Sequence, residues 1–256
     1  MMRLFATLFV LLPAFSLAQD AGPLNIIFGD DLLNPNRIFQ LFIMLTVLSL
    51  APGILMMVTS FTRIVVVFSF LRSALGLQNS PPNTVLISLA MFLTAFIMAP
   101  VFKEAYNEGI APYLNQEIDE SAAFSRTTEP FADFMLANVD EDDLGLFVDM
   151  LSEEDRNQIT ISTTPEGVEE VKNVPLQALI PAFIISELRR AFEIGFLLFL
   201  PFLVIDLTIA SILMSMGMMM LPPVIVSMPF KIIFFVMVDG WHLLSGSLVE
   251  SFRLPL

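Results

Sequence analysis

Four long apolar stretches dominate the pattern of positions along the chain. They run over residues 38 to about 58, 84–102, about 188–213 and 224–244. Each is long enough for a membrane span of about 20 residues. A polar loop with a double proline, residues 71–83, joins the first stretch to the second, and a turn with Gly217 and a second double proline, residues 215–223, joins the third to the fourth. The pattern predicts an all-α fold of kinked, membrane-inserted helical hairpins with four apolar spans.

The first 18 residues, MMRLFATLFVLLPAFSLA, have the pattern of a cleavable signal peptide. Arg3 provides a positive start, and the apolar run that follows is too short to span well. Small residues then precede a cleavage site between Ala18 and Gln19. The alternative is an uncleaved first transmembrane helix. We expect residues 19–37 to form a short exported tail, because prolines and aspartates interrupt it.

A cleaved signal sets the orientation of the remaining chain. The mature N-terminus then starts outside, so the first hairpin, residues 38–102, runs inward and returns. This path puts Arg63 and Arg72 at the cytoplasmic end, as the excess of positive charge in cytoplasmic loops favours. Residues 103–178 are then periplasmic, and the second hairpin, residues 179–256, carries the Met-rich turn.

The segment 103–178 differs from the rest of the chain in charge. Between residues 103 and 172 there are 18 Asp or Glu and 4 Lys or Arg, so this segment accounts for the whole net charge of −14. Residues 130–136 and 144–151 place apolar side chains at helical spacing. We expect a small helical periplasmic subdomain with a flexible acidic tip near 153–170. A turn-rich loop is the alternative.

Composition argues against an enzyme. Hydrophobic residues make up 56% of the chain and the mean hydropathy is +0.79, but there is no cysteine and only one histidine, His242. The common nucleophile–base pairs and thiolate metal sites therefore cannot be assembled. The sequence predicts no catalytic residue, no metal site and no cofactor. A basic surface for nucleic acid is also absent.

Charged residues within the apolar stretches are the first candidate functional group, because charge at membrane depth costs several kcal/mol unless it is paired or hydrated. Glu187 and Arg190 are three residues apart and Arg189 and Glu193 are four apart, so each pair shares a helical face. One interpretation is a structural ion pair near the membrane interface. The other is that these charges join neighbouring subunits. The residues singled out are Arg63, Glu187, Arg190, Glu193, Asp206 and Lys231.

Methionines form the second candidate group. Five of them lie between positions 214 and 220, beside Gly217 and just before Pro222 and Pro223. A continuous helix through this run is not expected, and non-helical backbone at membrane depth is tolerated only where protein buries it or a cavity adjoins it. A flexible methionine turn at a pore axis could form a deformable seal. Prolines and glycines within the apolar stretches, such as Pro52, Pro201 and Gly240, further predict bent helices.

Three stretches of the chain carry a family resemblance. They are residues 60–100, SFTRIVVVFSFLRSALGLQNSPPNTVLISLAMFLTAFIMAP, residues 181–196, PAFIISELRRAFEIGF, and residues 206–248. In this order they resemble the first signature region, the central signature and the C-terminal region of the FliP family of flagellar biosynthetic proteins. The injectisome proteins SpaP and YscR share these motifs, and the signal peptide favours the flagellar branch.

This resemblance implies a pore-forming core subunit of the flagellar type III secretion export gate. Several copies would assemble with FliQ and FliR, next to FlhB and the rod and basal-body proteins, in the bacterial inner membrane at the flagellar basal body. The gate would pass unfolded flagellar proteins and seal when idle. The family's methionine constriction corresponds here to Met218, Met219 and Met220, and its subunit-joining charges to Glu187, Arg190 and Glu193.

Two other functions are compatible with parts of the pattern. An ion-coupled secondary transporter would use intramembrane Glu187 and Asp206 as proton or cation sites. An intramembrane hydrolase would need Asp206 and Asp239 to pair, although no local motif supports such a site.

Overall fold

The computed structural model describes residues 35–77, 80–157, 159–163, 169–218 and 220–254. The predicted signal peptide, its cleavage site at Ala18 and Gln19, and residues 19–34 of the predicted tail lie outside this range. Contacts divide the chain into two units, Met1–Ala51 and Pro52–Leu256. Of the first unit the structure describes residues 35–51, a helical segment whose apolar side chains, such as Leu45 and Leu48, are exposed.

The apolar stretches form helices, as the sequence predicts. The helices of the apolar stretches are α1 (Pro35–Met57), α2 (Phe61–Ala74), α3 (Asn83–Ile97), α4 (Ala99–Ala105), α9 (Leu176–Ser215), α10 (Pro223–Met237) and α11 (Gly240–Glu250). A π-helical turn, Tyr106–Ile110, and the short helix α5 (Ala111–Leu114) continue α4. Both turns that end in a double proline lie where the pattern places them, between α2 and α3 and between α9 and α10.

One helix, α9, is long and apolar enough to cross a membrane by itself. Its 40 residues extend for about 60 Å, twice the roughly 30 Å of a hydrocarbon core. Three pairs of helices among the described residues are long and apolar enough to cross a membrane only when each pair counts as one span. The pairs are α1 with α2, α3 with Ala99–Leu114, and α10 with α11. The last two pairs are bent by 58° and 63°. Four spans therefore require that each broken pair make one crossing.

The breaks do not follow the prolines as closely as the sequence suggests. Helix α1 continues through Pro52 and ends before residues 58–60, and α9 continues through Pro181 and Pro201. A proline removes one backbone donor, a loss that a long helix packed on its neighbours tolerates. Gly240 does mark a break, because Asp239 before it adopts a left-handed backbone (φ +51°) and ends α10.

The acidic segment is mainly helical, with α6 (Glu120–Asn138), α7 (Glu141–Asp149) and α8 (Glu153–Arg156). The two predicted amphipathic stretches fall in α6 and at α7. Two short strands, β1 (Thr160–Thr163) and β2 (Glu169–Lys172), pair antiparallel, with Thr160 opposite Lys172. They overlap the second half of the stretch near 153–170 for which we expect a flexible tip. Thr and Val at these positions favour extended backbone.

Side-chain caps fix where the helices of the acidic segment begin. Asp119 accepts from the Ala122 N–H at the start of α6, Asp140 from Asp142 at α7, and Ser152 from Asp155 at α8. Such caps satisfy backbone donors that the first helical turn leaves unpaired. The hydroxyl of Ser121 and the Ala122 N–H both donate to Asp119, and they lower the pKa of this exposed carboxyl.

Helices α2, α3, α6 and α9 enclose the apolar core of the second unit. Small residues let the helices approach closely: a Cβ on Gly195 would lie 2.5 Å from Cδ2 of Phe70. Core positions with essentially no exposure include Ile64, Val67, Phe68, Ala90, Met98, Phe134, Leu179, Ala182, Phe183 and Ala191. The acidic segment shares this core through Phe134, so it packs on the hairpins as part of the same unit.

Candidate functional site

Arg63 and Glu187 form a fully buried ion pair between α2 and α9. Neither side chain is exposed. Nε of Arg63 donates to Oε2 of Glu187 at 2.8 Å, and Nη2 donates to Oε1 at 2.5 Å. The two parallel bonds match the planar guanidinium to the carboxylate, which is the strongest geometry for such a pair. Both charges are therefore neutralised within one chain.

Arg63 also holds the C-terminal segment. Its Nη1 donates to the backbone oxygen and the hydroxyl of Ser251, at 3.0 and 2.9 Å, and its guanidinium lies 3.7 Å from the ring centroid of Phe252. That ring stacks on Phe134 of α6. Arg63 consequently lies beside the acidic segment. The expectation that it shares an end with Arg72 is wrong, because the break at 58–60 puts Arg63 in the first turn of α2.

A second polar side chain, the amide of Asn138, contacts the same C-terminal segment from the acidic segment. Asn138, the last residue of α6, is fully buried. Its side-chain nitrogen donates to the Arg253 carbonyl at 2.7 Å, and its side-chain oxygen accepts from the Arg253 N–H at 3.0 Å. The pattern of apolar positions gives no sign of this role, since an asparagine at a helix end is usually a local cap.

The charges of the central signature have distant partners rather than the predicted neighbours. Arg189 pairs with Asp143 at 2.6 Å and with Asp140 at 3.4 Å. The hydroxyl of Ser186 donates to Asp143 and accepts from the Asp140 N–H. This cluster ties α7 to α9. Sequence reasoning missed these three residues. Asp140 and Asp143 resemble the usual acidic start of a helix, and Ser186 is a single hydroxyl within an apolar helix.

Arg190 and Glu193 do not form the predicted helical pairs. Within the described residues neither has an oppositely charged group within 4.0 Å. Glu193 is exposed and Arg190 is half-buried. Their partners in the prediction, Glu187 and Arg189, are already engaged by Arg63 and by the aspartates of α7.

Asp206 and Lys231 form a third polar cluster, near the methionine turn. Lys231 is buried, and its Nζ donates to Oδ2 of Asp206 at 2.7 Å. The hydroxyl of Ser227 donates to the other oxygen, Oδ1, at 2.5 Å. Since Asp206 belongs to α9 and both donors belong to α10, the cluster cross-links the two helices on either side of the turn. Lys231 also donates to the carbonyl of Ala74 at 3.0 Å.

The methionine turn begins where α9 ends. Gly217 has a left-handed backbone (φ +73°). Its N–H donates to the carbonyl of Met214, and the Met218 N–H donates to the carbonyl of Leu213. These two bonds form a Schellman cap, which glycine favours because it has no Cβ. Met216, Met218 and Met220 are 59%, 42% and 98% exposed, and Met219 lies outside the described residues. The turn thus presents unpartnered methionines.

These arrangements restrict the chemistry that the chain can perform. Glu187 and Asp206, the acids of the transporter hypothesis, are each paired with a buried cation, and each of their carboxylate oxygens accepts a hydrogen bond from a side chain of the same chain. Asp206 does not pair with Asp239, which is exposed at the break before α11. Among the residues that the structure describes, no three acids or histidines are grouped to hold a metal ion. What remains is an extended apolar surface and an exposed methionine turn.

Comparison with known proteins relates this chain to one family. The sequence profile of the FliP family matches residues 44–248. Among similar proteins, the "Flagellar biosynthetic protein FliP" of Caulobacter vibrioides is 54% identical over 243 residues, 95% of this chain and 86% of the relative. The protein of the same name from Rhizobium meliloti is 49% identical over 97% of this chain and 98% of its own length. That from Bacillus subtilis is 47% identical over 90% and 98%. The chain, with its buried Arg63–Glu187 pair and its methionine turn, belongs to the FliP family.

Proposed function

We propose that this chain is a pore-forming core subunit of the flagellar type III secretion export gate. It passes unfolded flagellar proteins across the inner membrane and seals the pore when idle. Family membership and the printed names of the relatives support the flagellar role. The observation that supports the gate function is the exposed methionine turn, which connects two apolar helices, α9 and α10. This role requires no catalytic residue and no cofactor.

Oligomerisation accounts for the exposed apolar surface. Only 11% of the most apolar 18-residue window of α9 is buried within the chain. Exposed side chains on this helix include Phe192, Phe196, Leu197, Leu203, Val204 and Leu207. Surfaces of this extent in a water-soluble monomer would be an aggregation hazard. Here other copies of the chain, FliQ, FliR and membrane lipid cover them, with FlhB and basal-body proteins at the periphery.

The topology follows from the signal peptide. Residues 1–18 are removed, four spans insert, and residues 103–178 lie in the periplasm, where the acidic helices pack against α9. Glu193 is exposed and Arg190 is half-buried. Neither has an oppositely charged group within 4.0 Å among the described residues, so these two charges are the ones available to a neighbouring subunit. The buried charges Arg63, Glu187, Asp206 and Lys231 hold the subunit itself together.

Ion leakage through the assembled gate tests the function. Replacing Met218, Met219 and Met220 together with Ala shortens the side chains of the proposed seal. We expect leakage across vesicles that contain the purified complex to rise several-fold. Met237→Ala is the matched control, since Met237 is 80% exposed but lies at the far end of α10. Unchanged leakage in the triple variant, with the complex intact, would overturn the gate assignment.

A further inference from the structure

The turn between α2 and α3 has the same design as the methionine turn. Gly76 has φ +75°, close to the +73° of Gly217. The Gly76 N–H donates to the Ser73 carbonyl at 3.0 Å, and the Leu77 N–H donates to the Arg72 carbonyl at 3.2 Å. This is again a Schellman cap, followed by a double proline. We call residues 75–77 and 80–82 the first turn.

The first turn lies against the start of α10, the helix that leaves the methionine turn. A Cβ built on Gly76 would lie 3.7 Å from Cγ1 of Val224, the second residue of α10. Lys231, two helical turns later, reaches the Ala74 carbonyl at 3.0 Å. The two turns therefore lie at the same end of the second unit, with α10 between them.

Lys231 completes the hydrogen bonding at the end of α2. The last four carbonyls of a helix have no partner within it. Among the described residues, the carbonyls of Leu71, Arg72 and Ser73 in α2 accept backbone N–H groups of the first turn, and the Ala74 carbonyl accepts the Lys231 ammonium. An ammonium is favoured there because the C-terminal end of a helix is partially negative. Lys231 thus belongs to the cap of α2 although it lies in α10.

The same ammonium fixes α10 to α9. Its bond to Asp206 and that of Ser227 to the same carboxylate set how α10 leaves the methionine turn relative to α9. One buried lysine consequently joins three elements: the end of α2, the helix before the methionine turn and the helix after it. Lys231 does more than pair with Asp206, because its ammonium also donates to the Ala74 carbonyl, while Ser227 supplies a second donor to the Asp206 carboxylate.

We propose that Lys231, anchored on the first turn, is the positioning residue of the methionine turn. The first turn carries no methionine, yet it determines where Met216, Met218 and Met220 lie, because α10 rests on it. The geometric part of this proposal is independent of the gate. Its consequence for ion leakage rests on the proposed function.

A distance measurement tests the geometry directly. The chain has no cysteine, so spin labels can be placed by Leu197→Cys and Met220→Cys alone. Both positions are exposed. Leu197 lies on α9, about 30 Å along the axis from the C-terminal end of that helix. A minority of labelled chains is assembled with unlabelled ones in the complete complex. We expect one narrow distance distribution, which Lys231→Met broadens at least twofold and Lys231→Arg, which keeps a donor, leaves narrow. An unchanged distribution in Lys231→Met would overturn the proposal.

Two further variants keep the test decisive. If Lys231→Met does not accumulate in membranes, Gly76→Ala replaces it, since a Cβ at φ +75° strains the first turn while Lys231 and every methionine remain. Broadening in Gly76→Ala supports the proposal, and a wild-type distribution contradicts it. In the leakage assay both variants should leak as the triple methionine variant does. If the triple methionine variant does not leak, the proposed gate function fails. If that variant leaks but Lys231→Met and Gly76→Ala do not, the positioning role of Lys231 is refuted.

Discussion

Removing Arg63 tests whether the buried pair holds the subunit together. In Arg63→Met the carboxylate of Glu187 stays fully buried and loses both of its hydrogen bonds. Breaking a buried ion pair from one side costs about 3–5 kcal/mol. The variant also loses the contacts to Ser251 and the ring of Phe252. For a chain of this size, about 1 kcal/mol lowers Tm by roughly 2–4 °C, so we expect a decrease of about 6–20 °C.

The assay is thermal unfolding of the full chain in one detergent at one scan rate, followed by circular dichroism. The control is Arg190→Met, a half-buried arginine on the same helix as Glu187. Arg190 has no oppositely charged group within 4.0 Å among the described residues, so we expect a decrease of about 3 °C or less. A double variant, Arg63→Met with Glu187→Met, should recover much of the loss, because it leaves no unpaired charge. Equal shifts for Arg63→Met and Arg190→Met, or no recovery in the double variant, would refute the reasoning.

Two further predictions concern the acidic segment, and both are checked by Tm under the same conditions. Gly109→Ala should destabilise by about 1–3 kcal/mol, because its Cβ would lie 2.7 Å from the backbone nitrogen of Thr127. Gly145→Ala, with open space around it in α7, should instead stabilise by about 0.5–1 kcal/mol, and equal shifts would contradict the packing argument. Asp143→Asn should cost about 1 kcal/mol, since its partner Arg189 is 44% exposed, and a shift above about 8 °C would mean that this contact is far stronger than its exposure allows.

Local pattern was sufficient to predict the helices and both turns. Apolar runs of about 20 residues can satisfy their backbone only as helices at membrane depth. Gly217 with Pro222 and Pro223 indicates a turn because glycine supplies the left-handed position and proline cannot continue a helix. Both predictions depend only on residues close in sequence, and the structure confirms both.

Partner choice could not be predicted in this way. Helical spacing suggests Arg190 for Glu187, but the actual partner, Arg63, is 124 residues away, and no local rule gives that distance. Pro52 is a stronger local signal for a bend than residues 58–60, yet the helix continues through Pro52 and breaks at 58–60. Asn138 illustrates the same limit, because its side chain hydrogen-bonds to the backbone of Arg253, 115 residues away in sequence.

The unbroken length of α9 has a mechanical consequence. One end of this rod is fixed near Glu187 by the acidic segment and the C-terminal residues, and the other carries the methionine turn. The distance between Glu187 and Ser215 along the axis is about 42 Å. A tilt of only about 5° about the fixed end would sweep the tip through roughly 4 Å, the width of a side chain. By this geometry, a small tilt of the helix on the acidic side would be amplified at the methionine turn.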